Sequence, residues 1–201
     1  MCGRYQFSTR ESRELQQIVK NARQRSGQNA AALSFPLTGE ITPAALAPVL
    51  IAEQNKVVAE FQRWGIHNPR GGIVINARAE TVCDKAMFRR SIAARRCVIP
   101  ASGYYEWDTG SHKCLFRRAG SNLYMAGIYN WEEGENRFVV LTTAPNATVR
   151  DIHDRMPLIL TREQVRPWLT DPQAALQLLT QVPPDLEHTV EDGQLRLGDF
   201  L

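Results

Sequence analysis

The sequence predicts an α+β protein built mainly from antiparallel β-sheets. Short β-branched segments between residues 97 and 143 are separated by turns around Gly110, Gly120 and Gly134, a spacing typical of antiparallel strands. Helix signals lie near the start of the chain, after Asn76 and after residue 160. Helices together with mainly antiparallel strands make up an α+β protein.

The first elements follow from local signals. Ser8 and Glu11 have the spacing of a capping box, and the apolar residues that follow predict a helix ending near Gly27. A connector over residues 30–48 contains three prolines, so we expect no long element there. Strands are predicted where β-branched segments are bounded by turn residues, over residues 47–52, 57–64 and 72–75.

The later elements are predicted in the same way. Asn76 lies at a strand end, and a helix is expected to follow it towards Arg90 or Ala94. Helix starts are predicted at Thr161 and at Asp171, and a polar tail begins at Pro183. The remaining predicted strands cover residues 97–107, 115–118, 123–131, 137–143 and 158–160.

Length and composition favour one globular domain. The chain has 201 residues, 43% hydrophobic and 22% charged, proportions typical of soluble globular proteins. We expect a single domain over residues 1–201, with its core at about 2–170 and a C-terminal tail at about 183–201. The net charge of +3 permits an anionic partner, but any nucleic-acid surface must be local.

Cysteine and histidine spacing argues against a metal site. The four cysteines form no CxxC pair, and the four histidines show no zinc-ligand spacing to them. We therefore expect no metal and no other cofactor. The polar start gives no signal peptide, and no apolar run approaches the length of a membrane span. These features predict a monomer of the reducing cytoplasm, nucleoid-associated in a bacterium, with no membrane partner.

Cys2 is the first candidate for chemistry. A small second residue permits removal of Met1, and Cys2 would then carry an amine and a thiol on adjacent carbons. Unperturbed pKa values of about 7.7–8.0 and about 8.5 leave a useful fraction of each nucleophilic near neutrality. The amine can condense with an aldehyde to an imine, and the thiol can then close a thiazolidine ring. The alternative is a small second residue without a function.

Three later residues could assist such a nucleophile, and each has a structural alternative. Glu106 lies among aromatic residues, which would raise the pKa of its carboxyl and suit it to proton transfer; otherwise it is an exposed strand glutamate. His153 is either a second proton-transfer group or the cap of a short helix. Asn76 either orients the Cys2 terminus or is only a turn residue at a strand end.

Arginine and aromatic residues recur near these positions. Guanidinium groups suit phosphate contact, with a solvated helix face as the alternative. Aromatic rings could stack on bases, with core packing as the alternative. The candidates are Arg4, Arg78, Arg89, Arg90, Arg95, Arg96, Arg155, Trp64, Tyr104, Tyr105 and Trp107.

Four ordered motifs resemble those of a known family. They are Met-Cys-Gly-Arg-Tyr at 1–5, Asn-Ala-Arg-Ala-Glu-Thr at 76–81, Arg-Cys-Val-Ile-Pro-Ala-Ser-Gly-Tyr-Tyr-Glu-Trp at 96–107, and Thr-Thr-Ala-Pro-Asn with Ile-His-Asp-Arg-Met-Pro within 142–157. On these motifs the sequence is similar to the SOS response-associated peptidase (SRAP) family, the abasic-site processing proteins. The likeness fades over the final helices and tail. It implies β-sheets curled into an open barrel with helices packed outside.

The resemblance also implies an activity and its residues. Family members bind single-stranded DNA at abasic sites, and their mature N-terminal cysteine forms a thiazolidine crosslink with the ring-opened deoxyribose. On this resemblance Cys2 is the nucleophile and Asn76 positions it. Glu106 is the acid and base, and His153 assists ring opening and imine chemistry. The residues implied to hold phosphates or line the DNA pocket are Gly3, Arg4, Arg78, Trp107, Thr142 and Arg155.

Two segments depart from the family pattern. Glu40 occupies a connector position where many relatives carry an amide, within Asn-x-Ala-Pro. Trp64-Gly65 is followed by residues 66–70 in place of Pro-x-Trp, so the tryptophan thought to wedge DNA is missing. Either His67 or Arg70 substitutes by stacking, or DNA is bound less tightly or with a different junction preference.

Two other functions remain open on the sequence. A cysteine-dependent peptidase, including one that removes only its own leader, would use the Cys2 thiolate with His153 as base and Asn76 as an oxyanion contact. A non-catalytic single-strand-binding module would need only the arginines and aromatics. The crosslinking mechanism alone, which also permits a lyase side reaction, needs both the free amine and the thiol of Cys2.

Overall fold

The structure, a computed structural model, describes residues 2–10, 12–27 and 29–191. Glu11 of the predicted capping box and residues 192–201 of the predicted tail lie outside them. The helices within these ranges are α1 Arg13–Ser26, α2 Ala30–Leu33, α3 Arg89–Ala94, α4 Arg162–Thr170 and α5 Pro172–Leu178. The strands are β1 Tyr5–Ser8, β2 Thr38–Ile41, β3 Leu46–Glu53, β4 Lys56–Trp64, β5 Ile66–His67, β6 Ile73–Val74, β7 Asn76–Arg78, β8 Arg96–Ala101, β9 Gly103–Trp107, β10 Lys113–Arg117, β11 Leu123–Glu132, β12 Glu135–Thr143, β13 Met156–Pro157, β14 Ile159–Leu160 and β15 Glu187–Glu191.

Five strands close into a small barrel. Their order is β12, β4, β3, β8 and β11, and β11 pairs in turn with β12. The pairs are antiparallel except β4 with β12, where Arg63 lies opposite Arg137 in a parallel register. β7 also runs parallel to β12, and places Asn76 opposite Val140. This architecture confirms the predicted α+β class, and the pairing of β11 with β12 closes the ring.

Two hairpins of the barrel turn on residues with positive φ. Gln54 and Asn55 join β3 to β4 with φ of 47° and 62°, and Glu133 and Gly134 join β11 to β12 with φ of 52° and 85°. Two-residue loops of this kind match the right-handed twist of the paired strands. The predicted strands over residues 47–52, 57–64, 123–131 and 137–143 are thereby confirmed with slightly longer ends.

A second sheet carries the N-terminal residues. Its order is β15, β10, β9, β1 and β2, with neighbours antiparallel. The prediction of one strand over residues 97–107 was wrong, because the chain leaves the barrel at Ser102 and enters this sheet. The Ser102 hydroxyl accepts a hydrogen bond from the Ser8 backbone N–H at 2.9 Å. That contact fixes the corner where the two sheets meet.

The start of α1 also differs from the prediction. Ser8 belongs to β1 and pairs with Thr38, so it does not begin a helix. Ser12 is the N-cap, and its hydroxyl accepts the Leu15 N–H at 3.2 Å. Competition from sheet pairing therefore moved the helix start by four residues. The predicted apolar face is confirmed, since its members Leu15, Ile18, Val19 and Ala22 are buried in the core.

The segment after β7 is shorter in helix than predicted. Turns occupy residues 79–84 and 86–88, and helix α3 begins only at Arg89. Arg96, the first residue of β8, is only 7% exposed. Its guanidinium donates to the carbonyls of Ile92 and Ala93 and to those of Trp168 and Leu169. The C-terminal ends of α3 and α4 are thereby satisfied by one side chain.

The predicted helices α4 and α5 are confirmed. Thr161 and Gln164 form a capping box at α4, and the Asp171 carboxylate accepts the N–H groups of Gln173 and Ala174 at α5. None of the described helices is long and apolar enough to span a membrane.

Short strands occur in two segments that the sequence left without regular structure. The connector contains α2 and β2, of four residues each, and the first three residues of β3. The tail contributes β15, which pairs with β10 and places His188 opposite Phe116. Pairing with the sheet edge, a contact far along the chain, gives this polar segment its strand geometry.

Candidate active site

Cys2 lies in the hydrophobic core, just before β1. Its side chain is 0% exposed, and its sulfur lies 3.8 Å from the carbonyl oxygen of Arg4. Burial, and next the charge of Glu106, raise the pKa of the thiol well above its usual range. In this state the thiol is protonated, so its reactivity depends on a nearby group that takes the proton.

Asn76 connects Cys2 to the barrel. It is the first residue of β7, and its Nδ2 donates to the Cys2 carbonyl at 2.9 Å. Its Oδ1 is buried and has no hydrogen-bond partner among the described residues. A buried amide oxygen left open in this way is costly in a merely structural residue. Asn76 is therefore in direct contact with the Cys2 backbone, and its orienting role stays a prediction.

Glu106 approaches Cys2 from the second sheet. It lies in β9 opposite Cys114 and is 3% exposed, so the alternative of an exposed strand glutamate is excluded. Burial raises the pKa of its carboxyl, although the positive charges of the chain's amino group and of His153 oppose that shift. A carboxyl that stays protonated to higher pH is suited to acid and base catalysis.

His153 follows the turn after β12 and faces Glu106. Its Nε2 lies 3.5 Å from Oε2 of Glu106, and its Nδ1 lies 3.0 Å from both Asp154 Oδ1 and the backbone nitrogen of Arg155. Nδ1 also lies 3.2 Å from the Arg155 carbonyl oxygen, so the contacts of that nitrogen with residues 154 and 155 leave Nε2 facing Glu106. The imidazole and the carboxyl are therefore placed to exchange a proton.

Two buried hydroxyl groups accompany Cys2. Tyr5 and Tyr104 lie opposite each other in β1 and β9, are 0% exposed, and belong to the same core cluster as Cys2. Within the described ranges, neither hydroxyl has a hydrogen-bond partner. Burial, and next the charge of Cys2, raise both pKa values. Both tyrosines are therefore neutral donors. Of the two alternatives that the sequence left for Tyr104, base stacking and core packing, the structure shows core packing.

Four of the predicted DNA-contacting residues surround this site at the surface. Gly3 and Arg4 follow Cys2 directly, and the exposed Arg78 ends the strand that begins with Asn76. Trp107, next to Glu106, is 37% exposed. The Arg4 guanidinium lies 5.9 Å from the centroid of the Trp107 ring. Cations and an aromatic face thus border the buried nucleophile.

The other two predicted residues contact each other. Thr142 is fully buried opposite Arg78 in the pairing of β7 with β12. Its carbonyl accepts a hydrogen bond from the Arg155 guanidinium at 2.7 Å. Arg155 also forms a bidentate ion pair with Glu80, at 2.8 and 2.9 Å. The Arg155 guanidinium is therefore held by a carboxylate to which the sequence assigned no role.

Glu40, the carboxylate that departs from the family pattern, binds two cations. It accepts a hydrogen bond from Arg4 at 2.8 Å and another from Lys113. Burial opposes its ionisation, but these hydrogen bonds outweigh burial and hold the pKa of the carboxyl below its usual range. Lys113 also pairs with Glu191 at 3.0 Å and lies 3.9 Å from the centroid of the Tyr105 ring. Sequence analysis missed Lys113 because 73 positions separate it from Glu40.

A metal centre would need several acidic, histidine or cysteine side chains close together. Among the described residues there is no group of three or more such side chains able to hold a metal ion.

A cysteine near the chain start, held beside an amide, a carboxyl and an imidazole against a small mixed barrel, defines a class of cysteine-centred protein. The chain belongs to the family described as SOS response associated peptidase (SRAP), whose model matches residues 1–191. The resemblance seen in the motifs is thereby confirmed.

Sequence relatives carry a common name. The chain is 39% identical over 143 residues to the abasic site processing protein YoqW of Bacillus subtilis, covering 61% of this chain and 64% of the relative. It is 34% identical over 104 residues to YedK of Escherichia coli, covering 48% and 47%. It is 28% identical over 174 residues to HMCES of Xenopus tropicalis, covering 64% and 52%. The matches span less than two thirds of these relatives' lengths.

Solved structures show the same fold. A protein from Bacteroides thetaiotaomicron superimposes with a TM-score of 0.73 at 22% identity, covering 94% of this chain and 92% of that chain. A phage-related protein from Bordetella bronchiseptica gives a TM-score of 0.74 at 22% identity, with 96% of each chain covered.

Proposed function

We propose that this chain captures abasic sites in single-stranded DNA by forming a thiazolidine between Cys2 and the ring-opened sugar, once Met1 has been removed. The observation that carries the proposal is one buried cysteine held by Asn76 and facing Glu106, which in turn is paired with His153. The relatives' shared name, abasic site processing protein, suggests the substrate class.

The reaction uses both nucleophiles of Cys2. The neutral amine attacks the C1′ aldehyde carbon, and loss of one water gives an imine. The thiol then adds across the C=N bond, so that sulfur bonds to C1′ and the thiol proton reaches nitrogen. This step closes a five-membered ring and is favoured because both reacting atoms belong to one residue.

Asn76 would orient the amine. Its Nδ2 already holds the Cys2 carbonyl, and its Oδ1 is buried without a partner in the described part of the chain. A free Cys2 amine can donate to that oxygen. One amide would then fix both ends of the Cys2 backbone and aim the nitrogen lone pair at the aldehyde.

Glu106 and His153 would move the protons. A carboxyl with a raised pKa can protonate the hydroxyl that leaves as water and can then accept the proton of the Cys2 thiol. His153, 3.5 Å away, would return Glu106 to its starting state and assist opening of the sugar ring. The same imine acidifies the C2′ proton, so removal of that proton by Glu106 or His153 would give strand cleavage as a side reaction.

DNA would cross the surface beside Cys2. Arg4 and Arg78 would contact the phosphates that flank the lesion, and Trp107 would border the sugar pocket. Glu40 would compete with phosphate for Arg4, since it holds that guanidinium at 2.8 Å. We therefore expect Glu40→Gln to strengthen DNA binding several-fold at low salt, measured by fluorescence anisotropy with an abasic analogue that lacks the aldehyde.

The mass of the intact protein tests the proposal. The molecular mass of the purified protein is measured before and after incubation at neutral pH with a single-stranded oligonucleotide containing one abasic site. We expect Met1 to be absent and a denaturation-resistant adduct to appear at the mass of protein plus DNA less one water. Cys2→Ala should give no adduct, whereas Cys83→Ala, which removes an exposed thiol, should react as the wild type does.

Two further variants separate the proposed function from its alternatives. Cys2→Ser should form an imine that borohydride traps, but no stable ring, because a hydroxyl is a poorer nucleophile than a thiolate. Protein that retains Met1 should not crosslink, whereas a peptidase using only the thiol would keep its activity. A stable adduct of Cys2→Ala with abasic DNA would overturn the proposal.

A further inference from the structure

A second charged surface lies away from Cys2. It is a groove of about 770 Å³ that we name the arginine groove, after Arg10, Arg13, Arg117, Arg118 and Arg162 in its lining. The carboxylates in the same lining are Glu14 and Glu187. Five cations and two anions give the lining of the arginine groove a net charge of +3, equal to the net charge of the whole chain.

Most of these cations are available to a ligand. Within the described residues, the guanidinium groups of Arg10, Arg13 and Arg118 make no hydrogen bond or ion pair. Arg162 lies 3.4 Å from Glu14, with 73% of its side chain exposed, and Arg117 donates to Gln6. An exposed ion pair such as that of Arg162 with Glu14 contributes little to stability, and Gln6 is neutral, so both guanidinium groups can turn to another anion.

The arginine groove is built for phosphate contact and not for bases. Tyr124 is its aromatic residue, but that ring is 3% exposed and its hydroxyl donates to Glu14 at 2.6 Å. No stacking platform of the kind that single-strand-binding proteins use is therefore presented. Serine and threonine hydroxyls and the N-terminus of α1 line the groove beside the guanidinium groups. These are the groups that hold nucleic-acid backbones in register.

The arginine groove and Cys2 lie at opposite ends of β1. Ser8 ends that strand at the groove, and Cys2 precedes its other end. β9 and β10 repeat the arrangement, with Ser102 and Arg117 at the groove end and Glu106 at the Cys2 end. Six residues of extended chain span about 20 Å, and each strand of duplex DNA has one phosphate per about 3.4 Å of helix axis. About six nucleotides at the duplex spacing would therefore bridge the two sites.

We propose that the arginine groove binds the phosphodiester backbone of DNA about six nucleotides or more from the lesion held at Cys2. This inference rests on the proposed function and adds a second anchor to it. The backbone is supplied either by the same single strand or by a duplex arm next to it. In both cases the groove would contact a row of phosphates and no bases. Substrates with single-stranded or duplex arms distinguish the two cases.

Arm length and salt dependence test the inference without any covalent step. Fluorescence anisotropy is measured with an abasic analogue lacking the aldehyde, flanked by arms of 4 or 15 nucleotides, single-stranded or duplex. The variant is Arg10→Gln/Arg13→Gln/Arg118→Gln. The matched control, Lys20→Gln/Lys56→Gln/Arg166→Gln, removes the same charge from exposed positions outside the groove.

The groove variant should lose the affinity gained from long arms and should bind short arms as the wild type does. Its slope of log affinity against log salt should fall by about two for a single-stranded arm or about three for a duplex arm, because three phosphate contacts are lost. The control variant should keep the wild-type slope. Equal slopes in the groove variant and the control would overturn the inference.

Two additional readouts separate the possible failures. Crosslinking of a short-armed aldehyde substrate should proceed equally in the wild type and the groove variant. If neither the wild type nor the groove variant crosslinks, the proposed function fails. The arm-length measurement still shows whether the arginine groove binds DNA. Binding of poly-glutamate is measured as a second readout. If poly-glutamate binds the wild type more tightly than DNA of equal charge and does not bind the groove variant, the groove is a site for an acidic protein segment, and the inference is overturned.

Discussion

At the scale of single residues, the chemistry of this protein depends on burial. Cys2 and Glu106 are both removed from water, and burial is the main cause that raises the pKa of each. The thiol and the carboxyl therefore both favour their neutral, protonated forms. A proton can pass between two such groups at little cost in charge separation. Asn76 contacts the first of these residues at its backbone carbonyl, and His153 faces the second.

The raised pKa of Glu106 makes stability depend on pH. The folded protein holds this proton to higher pH than the unfolded chain does, whose carboxyl titrates near 4.5. Its contribution is therefore full below about pH 4.5 and is lost as pH rises through the folded-state pKa. We expect Glu106→Gln to match the wild type near pH 4 and to exceed it in unfolding free energy at pH 7.5. Urea unfolding at both pH values checks this, and a constant difference would contradict it.

The unpaired hydroxyl of Tyr104 gives a second prediction. Because that hydroxyl is buried without a hydrogen bond in the described structure, Tyr104→Phe should leave the unfolding free energy unchanged or raise it by about 1 kcal/mol. Tyr124→Phe is the matched control, since its hydroxyl donates to Glu14 at 2.6 Å, and should cost about 1.5–3 kcal/mol. Equal losses in the two variants, by chemical denaturation, would show that Tyr104 has a partner.

At the scale of elements, pairing between strands decides where helices begin. Residues 5–8 become β1 because β2 and β9 pair with them on either side. α1 therefore starts only after Ser12, although the local sequence favoured Ser8. The same pairing holds the backbone after Cys2 in an extended form, with the Tyr105 N–H donating to the Arg4 carbonyl at 3.0 Å.

The two serines test this account of α1. Ser12→Ala should destabilise the protein by about 1–2 kcal/mol, because it removes the acceptor of the Leu15 N–H and of the Asn122 amide. Ser8→Ala should cost less than about 0.5 kcal/mol, since its hydroxyl makes only contacts of 3.4 Å. Thermal unfolding of both variants measures the difference, and a larger loss from Ser8→Ala would support the helix start predicted from sequence.

At the scale of the whole molecule, closure of the barrel sets the distance between the two halves of the site. β7 brings Asn76 from the barrel, and β9 brings Glu106 from the second sheet. Gly127 in β11 allows the barrel strands to approach, because an added Cβ would lie 2.5 Å from Ile99 Cδ1 and 2.8 Å from the Val139 carbonyl.

Substitution of Gly127 should therefore loosen the barrel. Gly127→Ala should cost about 1–3 kcal/mol, and Gly127→Val more, since the Val139 carbonyl belongs to the backbone and cannot rotate away. Urea unfolding measures the loss. A stability equal to that of the wild type in both variants would show that β11 and β12 adjust without strain.

The sequence by itself determined the α+β class, most strands of the barrel, helices α4 and α5, and the family. These follow from alternation, turn residues, caps and motifs, which act over a few positions along the chain. It also named Cys2, Asn76, Glu106 and His153 as candidates, each from its chemistry.

Only the tertiary structure showed where these side chains lie and which of them meet. It placed Glu106 in the core, set Asn76 against the Cys2 carbonyl, and joined Glu40 to Lys113 across 73 positions. It also divided residues 97–107 between two sheets. The physical reason is that burial and strand pairing are long-range: the pKa of a carboxyl and the sheet that a strand joins depend on segments far along the chain.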